Sequence, residues 1–581
     1  MFSVLGKLGW FFKEHKKRYL LAVIALIIAS FIDILPPKLV GIAIDEIQFN
    51  TMTEERLWEL IGIYGILLVS SYVISYYWGR QLFGGAFLLE RTMRTKLMKH
   101  FLSMKPSFFG RFRTGDLMAR ATNDLKSISM TSGFGILTLV DSTFFMIMII
   151  GVMSLTISWK LTLASLLPLP IMALLMNRYG KTIHEKFTKA QDAFGEMNND
   201  VLESIRGVRV IRAFVQEKQD EERFSAMTED VYDKNIEVAK IDAMFEPTIK
   251  ILVGLSYTIG LGYGAHLVFT NAMTLGQLVS FNVYLGMLIW PMFAVGELIN
   301  VMQRGNASLD RVNETLSIVS DVQEPTKPKQ VLIPERIVFK GVTFQYPDTA
   351  RPQLRAVDLV VERGETIGVI GKTGSGKTTL FRQLLREYSG MSGQLIINDV
   401  PIEELAFEAT RGWIGYVPQD QILFSKTVRE NIQFGDSNAS DEKINRILQL
   451  AYLKDDIDHL PEGLDTKVGE SGITLSGGQK QRVSLARALI MEPEILILDD
   501  SMSAVDGKTE ANIIKHLKQE RNEKTTFIST HRLSAVQHAD QIIVLEDGVI
   551  VERGTHEELV ASGQWYASQF ELQQMERQGS E

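Results

Sequence analysis

The stretch Gly371-Lys372-Thr373-Gly374-Ser375-Gly376-Lys377-Thr378-Thr379 decides how this chain is read. It follows an apolar run, Thr366-Ile367-Gly368-Val369-Ile370, that reads as a buried strand, and it precedes Leu380-Phe381-Arg382-Gln383-Leu384-Leu385, which has helical spacing. Strand, glycine loop and helix in that order make a phosphate loop. Gly371, Gly374 and Gly376 let successive backbone N–H groups turn inward around a polyphosphate, and the helix N-terminus adds partial positive charge. Lys377 can reach the β- and γ-phosphates, the Thr378 hydroxyl can ligate Mg²⁺, and Thr379 completes the binding stretch. A plain glycine turn would account for the loop but not for the full G-x-x-x-x-G-K-[ST] pattern, so a nucleotide with Mg²⁺ is the expected ligand.

Working outward, the 581 residues are 46% hydrophobic and 22% charged, too long a chain for one ordinary core. The apolar residues concentrate before about residue 305, in runs long enough to cross a bilayer, while the remainder has the mixed composition of a soluble α/β domain. No cysteine is present, which rules out disulfides and Cys-ligated zinc or iron–sulfur sites. The net charge of −8 is mild, and no single-sign block suggests a nucleic-acid partner. Lys7, Lys13, Lys16, Lys17 and Arg18 precede an apolar segment longer than a signal-peptide core and without a small-residue cleavage site, which reads as an uncleaved first span.

Six spans are expected, at 19–44, 58–84, 133–155, 158–177, 248–270 and 275–300, making a multi-pass domain of the cell membrane. Asp45, Glu46, Glu54 and Glu55 lie between the first two, whereas the N-terminus and the stretches 85–132 and 178–246 are rich in Lys and Arg. The positive-inside rule then places the N-terminus, both long loops and the soluble half in the cytoplasm. Leu88 to Leu102 and Ile183 to Val238 keep apolar residues at helical intervals, so the spans should continue as helices roughly 30 Å beyond the bilayer. One loop tip falls near Lys105-Pro106-Ser107-Phe108-Phe109-Gly110 and the other within Arg206 to Phe214; both are expected to dock on nucleotide-binding domains. Pro36-Pro37, Pro168, Pro170 and Pro291 favour kinks within spans. Asp33, Asp141 and Glu297 are carboxylates within or near spans, which either pair with protein groups or attract a cationic substrate. Phe144, Phe145, Met146, Met148, Met287, Met292 and Phe293 either pack against neighbouring helices or lipid or form an adaptable apolar wall for ligands.

The segment Asp321 to Glu335, with Pro325, Pro328 and Pro334, reads as a linker between a membrane domain over 1–320 and a soluble domain over 336–581. Strands are expected at 337–345, 357–361, 366–370, 393–397, 414–417, 494–498, 526–529 and 541–545, and helices near 378–386, 441–450, 478–491, 509–518 and 533–537. This is an α/β core with inserted helices. Ile495-Leu496-Ile497-Leu498-Asp499-Asp500 is an apolar strand ending in two carboxylates, the arrangement that sets an Asp beside the Mg²⁺ of a phosphate loop. Leu475-Ser476-Gly477-Gly478-Gln479 opens a helix whose free N–H groups can hold a second anion, although Ser-Gly-Gly also serves as a simple cap. His556-Glu557-Glu558 does not complete the H-E-x-x-H zinc pattern.

With these motifs in order, the chain resembles the ABC transporters along essentially its whole length: a six-span export-type membrane domain followed by an ABC nucleotide-binding domain. Leu475 to Gln479 matches the family signature, and Phe108-Phe109 through Gly115-Asp116-Leu117 and Asp124 looks like the first intracellular loop of exporters. The resemblance implies that two nucleotide domains pair head to tail, each ATP lying between one chain's phosphate loop and the partner's signature. It implies that Tyr346 stacks on adenine, Gln419 links the Mg²⁺ region to the membrane loops, Asp499 organises Mg²⁺ and His531 contacts the γ-phosphate. Ser476, Gly478 and Gln479 would act on the partner's ATP, Asp506 would lie at the dimer seam, and Thr466 to Glu470 would meet the intracellular loops.

One position departs from the family pattern. The residue that polarises the attacking water is normally Glu, and here it is Asp500. Losing one methylene withdraws the carboxylate by roughly 1 to 1.5 Å, a misplacement that can cost about 10²-fold where positioning carries the reaction. This combination resembles one subunit of the heterodimeric bacterial multidrug exporters, whose two ATP sites are unequal. The resemblance therefore implies an ATPase that exports hydrophobic or cationic drug-like compounds, with a different chain carrying Glu at the base position as its partner. A lipid flippase, a homodimeric exporter and an ATP-gated channel or sensor are the alternatives.

Overall fold

The computed structural model describes residues 3–347, 349–469 and 475–578. Contacts divide the chain into two compact units, Met1–Leu102 with Gly115–Ile318, and Ser103–Thr114 with Val319–Glu581. The first loop tip, expected within a membrane domain over 1–320, thus belongs by its contacts to the second unit.

The first unit is built from long helices. Lys16–Gln48, Glu54–Ser103, the rod Thr114–Leu166, Glu217–Phe269 and Leu275–Ser317 are long and apolar enough to cross a membrane. Their outer faces are apolar rather than charged: Ile66, Leu68, Tyr72 and Val73 are all more than half exposed. Such a surface is unfavourable in water and suited to hydrocarbon, where the helix satisfies its own backbone groups. Helix Glu54–Ser103 has 50 residues, ~75 Å at 1.5 Å per residue, so it outruns a bilayer core of about 30 Å as the periodicity required.

The expected span 158–177 is divided at Leu167, between Trp159–Leu166 and the helix Pro168–Ala213. Pro168 has no N–H to donate backward and its ring crowds the preceding turn, which interrupts the hydrogen-bond ladder there, yet Leu167 keeps helical dihedrals at φ −53° and ψ −38°, so the helical path continues through the span. Pro36 and Pro37, by contrast, lie inside an uninterrupted helix. Side chains of Leu275–Met287 serve the backbone beside them: Ser280 Oγ donates to the Pro37 carbonyl at 2.8 Å and Tyr284 OH to the Ile34 carbonyl at 2.8 Å. The second tip lies at Phe214–Gln216, where Val215 has φ +54°, and Arg206 to Ala213 remain helical.

Close approach of these two helices depends on glycine. A Cβ on Gly276 would stand 1.9 Å from the Gly41 carbonyl oxygen, and one on Gly41 2.6 Å from that of Gly276. Asp45 fastens the same crossing, accepting from the Gly276 N–H at 2.7 Å and the Thr274 hydroxyl at 2.6 Å. Further along, Asp124 is buried in a π-helical turn, Arg120–Asp124, and accepts from Ser308 Oγ at 2.9 Å and from the Arg311 guanidinium. Glu297 pairs with Arg304 at 3.3 Å, so this carboxylate has a structural partner.

Among its described residues the second unit contains ten strands: β1 (Arg336–Phe344), β2 (Leu354–Glu362), β3 (Thr366–Ile370), β4 (Ser392–Ile397), β5 (Val400–Pro401), β6 (Ile414–Val417), β7 (Ile495–Asp499), β8 (Thr525–Ser529), β9 (Gln541–Glu546) and β10 (Val549–Gly554). They form an antiparallel sheet ordered β2-β1-β4-β5 and a six-stranded sheet ordered β10-β9-β3-β8-β7-β6. In the latter, β9, β3, β8, β7 and β6 are parallel and β10 is an antiparallel edge. The parallel strands read as near-continuous apolar runs because both faces are covered, and all five residues of β7 and of β8 are buried. Residues 533–537 do not form the expected helix but a single 3₁₀ turn, Leu533–Ala535. Val536, fully buried, turns in against Gly368 of β3, where a Cβ would meet it at 2.9 Å. Asp321–Glu335 is less free than a linker: Asp321 accepts from Ser107 at 2.9 Å, and the Lys329 N–H donates to the Glu404 carbonyl at 2.9 Å.

Replacing Gly276 by Leu should separate the crossing at Gly41 and lower stability by about 1–3 kcal/mol or more. A fall in the thermal unfolding midpoint of the detergent-solubilised protein, smaller for Gly276→Ala, checks this.

Candidate functional site

The phosphate loop joins β3 to the helix Lys377–Leu384 and cannot be built without glycine at two points. Gly371 has φ +148°, and a Cβ there would lie 2.2 Å from the Leu545 carbonyl oxygen; Gly376 has φ +107°, with the Gln353 carbonyl at 2.6 Å. Gly374, at φ +83°, faces open space. Lys377 Nζ donates to the carbonyls of Gly371 at 2.7 Å and Lys372 at 3.1 Å, closing the loop on itself. Burial lowers its pKa, while Asp500 and Asp499 pull it the other way.

β7 carries Asp499 to the carboxyl edge of the sheet, where parallel α/β sheets take their ligands. Its side chain is 1% exposed. Burial raises its pKa, opposed by hydrogen bonds from Thr378 and from Tyr416, whose hydroxyl lies at 3.3 Å. Asp500 follows in the left-handed region at φ +47°, a conformation that Asp tolerates better than most residues, with its N–H on the Ser529 carbonyl at 2.9 Å. Burial raises its pKa too, and His531, Lys377 and Arg532 oppose that rise. Lys377, Thr378, Asp499, Asp500 and His531 are therefore brought together from β3, β7 and β8.

This donor set fits Mg²⁺ with a polyphosphate. Thr378 and Asp499 offer hard oxygen donors, and Mg²⁺ ordinarily takes one or two such protein ligands with phosphate and water filling the rest. No group of three His, Asp or Glu side chains able to hold a metal alone exists among the described residues. Ser375 Oγ, buried in the loop, has no hydrogen-bond partner among them. When bound, Mg²⁺ would neutralise charge on the phosphates.

Tyr346, just past β1, is half-buried and edge-on to Phe344 and Tyr388, both at 4.9 Å between ring centroids. Its hydroxyl lies 3.1 Å from Thr379 Oγ1 and accepts from Arg382 Nη1 at 3.2 Å. Arg382 was not singled out from sequence, although it stands three residues beyond Thr379 on the same helical face. Gln419 follows β6 at the same sheet edge and is exposed.

Ser476, Gly478 and Gln479 form a second cluster. Ser476 caps helix Gly477–Leu489 in a reciprocal box with Gln479, whose Nε2 reaches Asp456 at 3.0 Å. Gly478 lets the helix start lie against the turn of Ser503–Asp506: a Cβ would meet the Ala504 carbonyl at 2.9 Å. Gln481 ties the two together, donating to Ser503 Oγ at 3.1 Å and accepting from the Ala504 N–H at 2.9 Å. Asp506 caps the next helix through the N–H groups of Lys508 and Thr509. In the stretch 466–470, Thr466 and Val468 pair with Val428 and Lys426; Glu470 lies outside the described residues.

The first loop tip packs a lysine against an aromatic ring that two arginines already flank. Lys105 Nζ sits 3.8 Å from the Phe407 ring centroid, and the Arg386 and Arg411 guanidinium carbons lie 4.4 and 4.9 Å from it. Burial, with Arg411 and Arg386 adding to it, pulls the Lys105 pKa down to about 8 against the opposing fields of Glu387 and Asp321.

The family description "ABC transporter transmembrane region" matches residues 19–292, and "ABC transporter" matches 354–503. The chain is 58% identical over 575 residues to the probable multidrug resistance ABC transporter ATP-binding/permease protein YheI of Bacillus subtilis, covering 99% of this chain and 98% of that one. It is 40% identical over 576 residues to the multidrug resistance-like ATP-binding protein MdlA of Escherichia coli, covering 99% and 97%. A solved bacterial Atm1-family ABC exporter with ATP bound has the same fold, with a TM-score of 0.78 at 24% identity over 96% of this chain and 98% of that one.

Undocked, Lys105 would hold its proton to a pH of about 10.4, whereas seated it loses it near pH 8. Across that window the undocked state binds more protons, so seating of the tip strengthens as pH rises. Amide hydrogen exchange of residues 104–112, normalised for the base-catalysed intrinsic rate, should show protection growing from about pH 7.5 to 9.5. Lys105→Met should flatten that dependence.

Proposed function

This chain belongs to the ABC transporter family, an ATPase coupled to export across a membrane that it crosses several times, and we propose that it works as one half of a heterodimer with a slow ATP site of its own. The observation that carries this is the pairing of an Asp at the base position with an intact signature helix start. Asp500, half-buried between His531 and Lys377, is one methylene short of the usual base, while Ser476 to Gln479 retain the cap and free N–H groups needed to complete a site on another chain. Here the phosphate loop, Tyr346, Asp499 and Gln419 bind Mg·ATP, and His531 meets the γ-phosphate. Turnover at this loop is slow, and the faster chemistry takes place at the partner's loop, completed by Ser476, Gly478 and Gln479. Closure of the two nucleotide domains, transmitted by the loop tips, switches the cytoplasm-facing membrane helices outward.

Two exposed apolar surfaces support pairing with another chain. At the second tip, Phe214 and Val215 are 72% and 79% exposed; on the nucleotide domain, Ile422 and Phe434 are 69% and 64% exposed beside Arg487. The second tip of each chain docks on that surface of its partner. Cationic and hydrophobic compounds are the substrate class. Asp141 accepts from Trp290 Nε1 at 2.9 Å and Asp33 from Ser71 Oγ at 2.7 Å, and neither has an ion-pair partner among the described residues, so each span keeps a carboxylate without a countercharge.

Ser476→Ala should lower ATP turnover of the assembled transporter on the order of 10²-fold, while Asp500→Asn should leave most of it. Equal, near-complete loss from both would sink the assignment. Co-purification with mass identification of the bound chain decides the pairing, and purification of this chain alone as a fully active exporter would establish a homodimer. Asp141→Asn should abolish stimulation of ATPase activity by cationic drugs while sparing neutral ones. Stimulation by purified lipids alone would mark a flippase.

A further inference from the structure

The loop that presents His531 is held from three directions. The Arg532 N–H donates to Thr530 Oγ1 at 3.0 Å, keeping the turn tight. The Arg532 guanidinium donates to the carbonyls of Val505 at 2.7 Å and Ser503 at 3.1 Å and reaches Glu510 at 3.2 Å, joining the loop to the turn before helix Gly507–Glu520. The third tether comes from a helix near the far end of the chain. Gln573, on Trp565–Gln578, donates from Nε2 to the His531 carbonyl at 2.8 Å and accepts the Leu533 N–H at Oε1 at 2.9 Å.

One carboxamide thus grips the backbone on both sides of Arg532. It can do so because it offers a donor and an acceptor together, and its two backbone partners allow only one orientation of the group. The helix that supplies it is firmly based: Tyr566 is fully buried, its hydroxyl lies 2.7 Å from His556 Nδ1, and its N–H donates to the buried Glu552 at 3.3 Å. Phe570 packs against the same core. Leu533, buried itself, cannot offer its N–H to water without moving.

We propose that Gln573 is a positioning residue for this chain's own ATP site, fixing the backbone at His531 and Leu533 so that the imidazole is aimed at the terminal phosphate. It rests on the reading that His531 meets that phosphate. The side chain touches no nucleotide itself. Its removal frees two peptide groups, after which the ring samples orientations in which its nitrogen misses the phosphate oxygen.

The test uses the full chain assembled with its partner and compares Gln573→Met, which keeps length without the amide, with His531→Ala and with the double variant. The initial rate of vanadate-dependent trapping of nucleotide on this chain's phosphate loop should fall on the order of tenfold in Gln573→Met. ATP affinity should stay unchanged, and the double variant should be no worse than His531→Ala. Amide exchange at Leu533 should accelerate in Gln573→Met, a readout independent of nucleotide. Unchanged Leu533 exchange, unchanged trapping in Gln573→Met, or losses that multiply in the double variant would overturn the proposal. If His531→Ala traps nucleotide normally while Leu533 exchange does accelerate, the tether stands but the contact of His531 with phosphate falls, and the positioning role falls with it.

Discussion

Charge held out of water at the carboxyl edge of the parallel sheet governs the second unit. Asp499, Asp500 and Lys377 each have a pKa displaced toward the neutral form by burial, and Lys377 spends its donors on loop carbonyls rather than on a carboxylate. Such an arrangement is costly unless something supplies the missing countercharges. A ligand that binds only the folded form offsets that cost in proportion to its concentration over its dissociation constant. The strand order matters because it puts β7 and β3 on either side of β8, so that the two carboxylates, the ammonium and His531 arrive from different strands at one edge.

The first unit solves a different problem in a different solvent. In water its exposed Ile, Leu, Val and Tyr side chains would be driven inward, but against hydrocarbon they need not be, and the helices are held instead by close backbone approach and internal polar contacts. Gly41 against Gly276, Asp45 on the Gly276 N–H and Tyr284 on the Ile34 carbonyl are contacts of that kind. Asp124 with Ser308 and Arg311 does the same where the third rod meets the last helix of the unit.

What was legible in the sequence is local. The phosphate loop, β7 with its two acids and the signature cap are each written in a few consecutive residues, and the structure assembles them at strand ends and a helix start. The hairpin of β9 and β10 was legible too, through Asp547-Gly548, both at positive φ, yet β10 went unassigned. The helix expected at 533–537 failed because its apolar spacing serves packing of Val536 on β3 and a backbone bond to Gln573. At 158–177 the helical path persists through Leu167, and the interruption of its hydrogen-bond ladder comes from the missing N–H of Pro168, which apolar periodicity does not register. The left-handed backbone at Asp500, the stacking of three cations on Phe407 and the grip of Gln573 on His531 leave no periodic trace, since each joins residues distant in the chain or depends on one dihedral angle.

The grouping of Ser103–Thr114 with the nucleotide unit changes what counts as a module. The chain passes between its two units three times, at Leu102/Ser103, Thr114/Gly115 and Ile318/Val319, rather than once at a linker. An excised domain beginning after residue 320 would carry an empty socket: Phe407 with Arg386 and Arg411 left around it and no Lys105 to complete the cluster. Severing the backbone within 321–335 would leave the nucleotide unit attached through its borrowed segment. Evolutionary exchange of this unit between transporters would therefore have to carry a dozen or so residues from the middle of the membrane half, or rebuild the socket to suit a new tip.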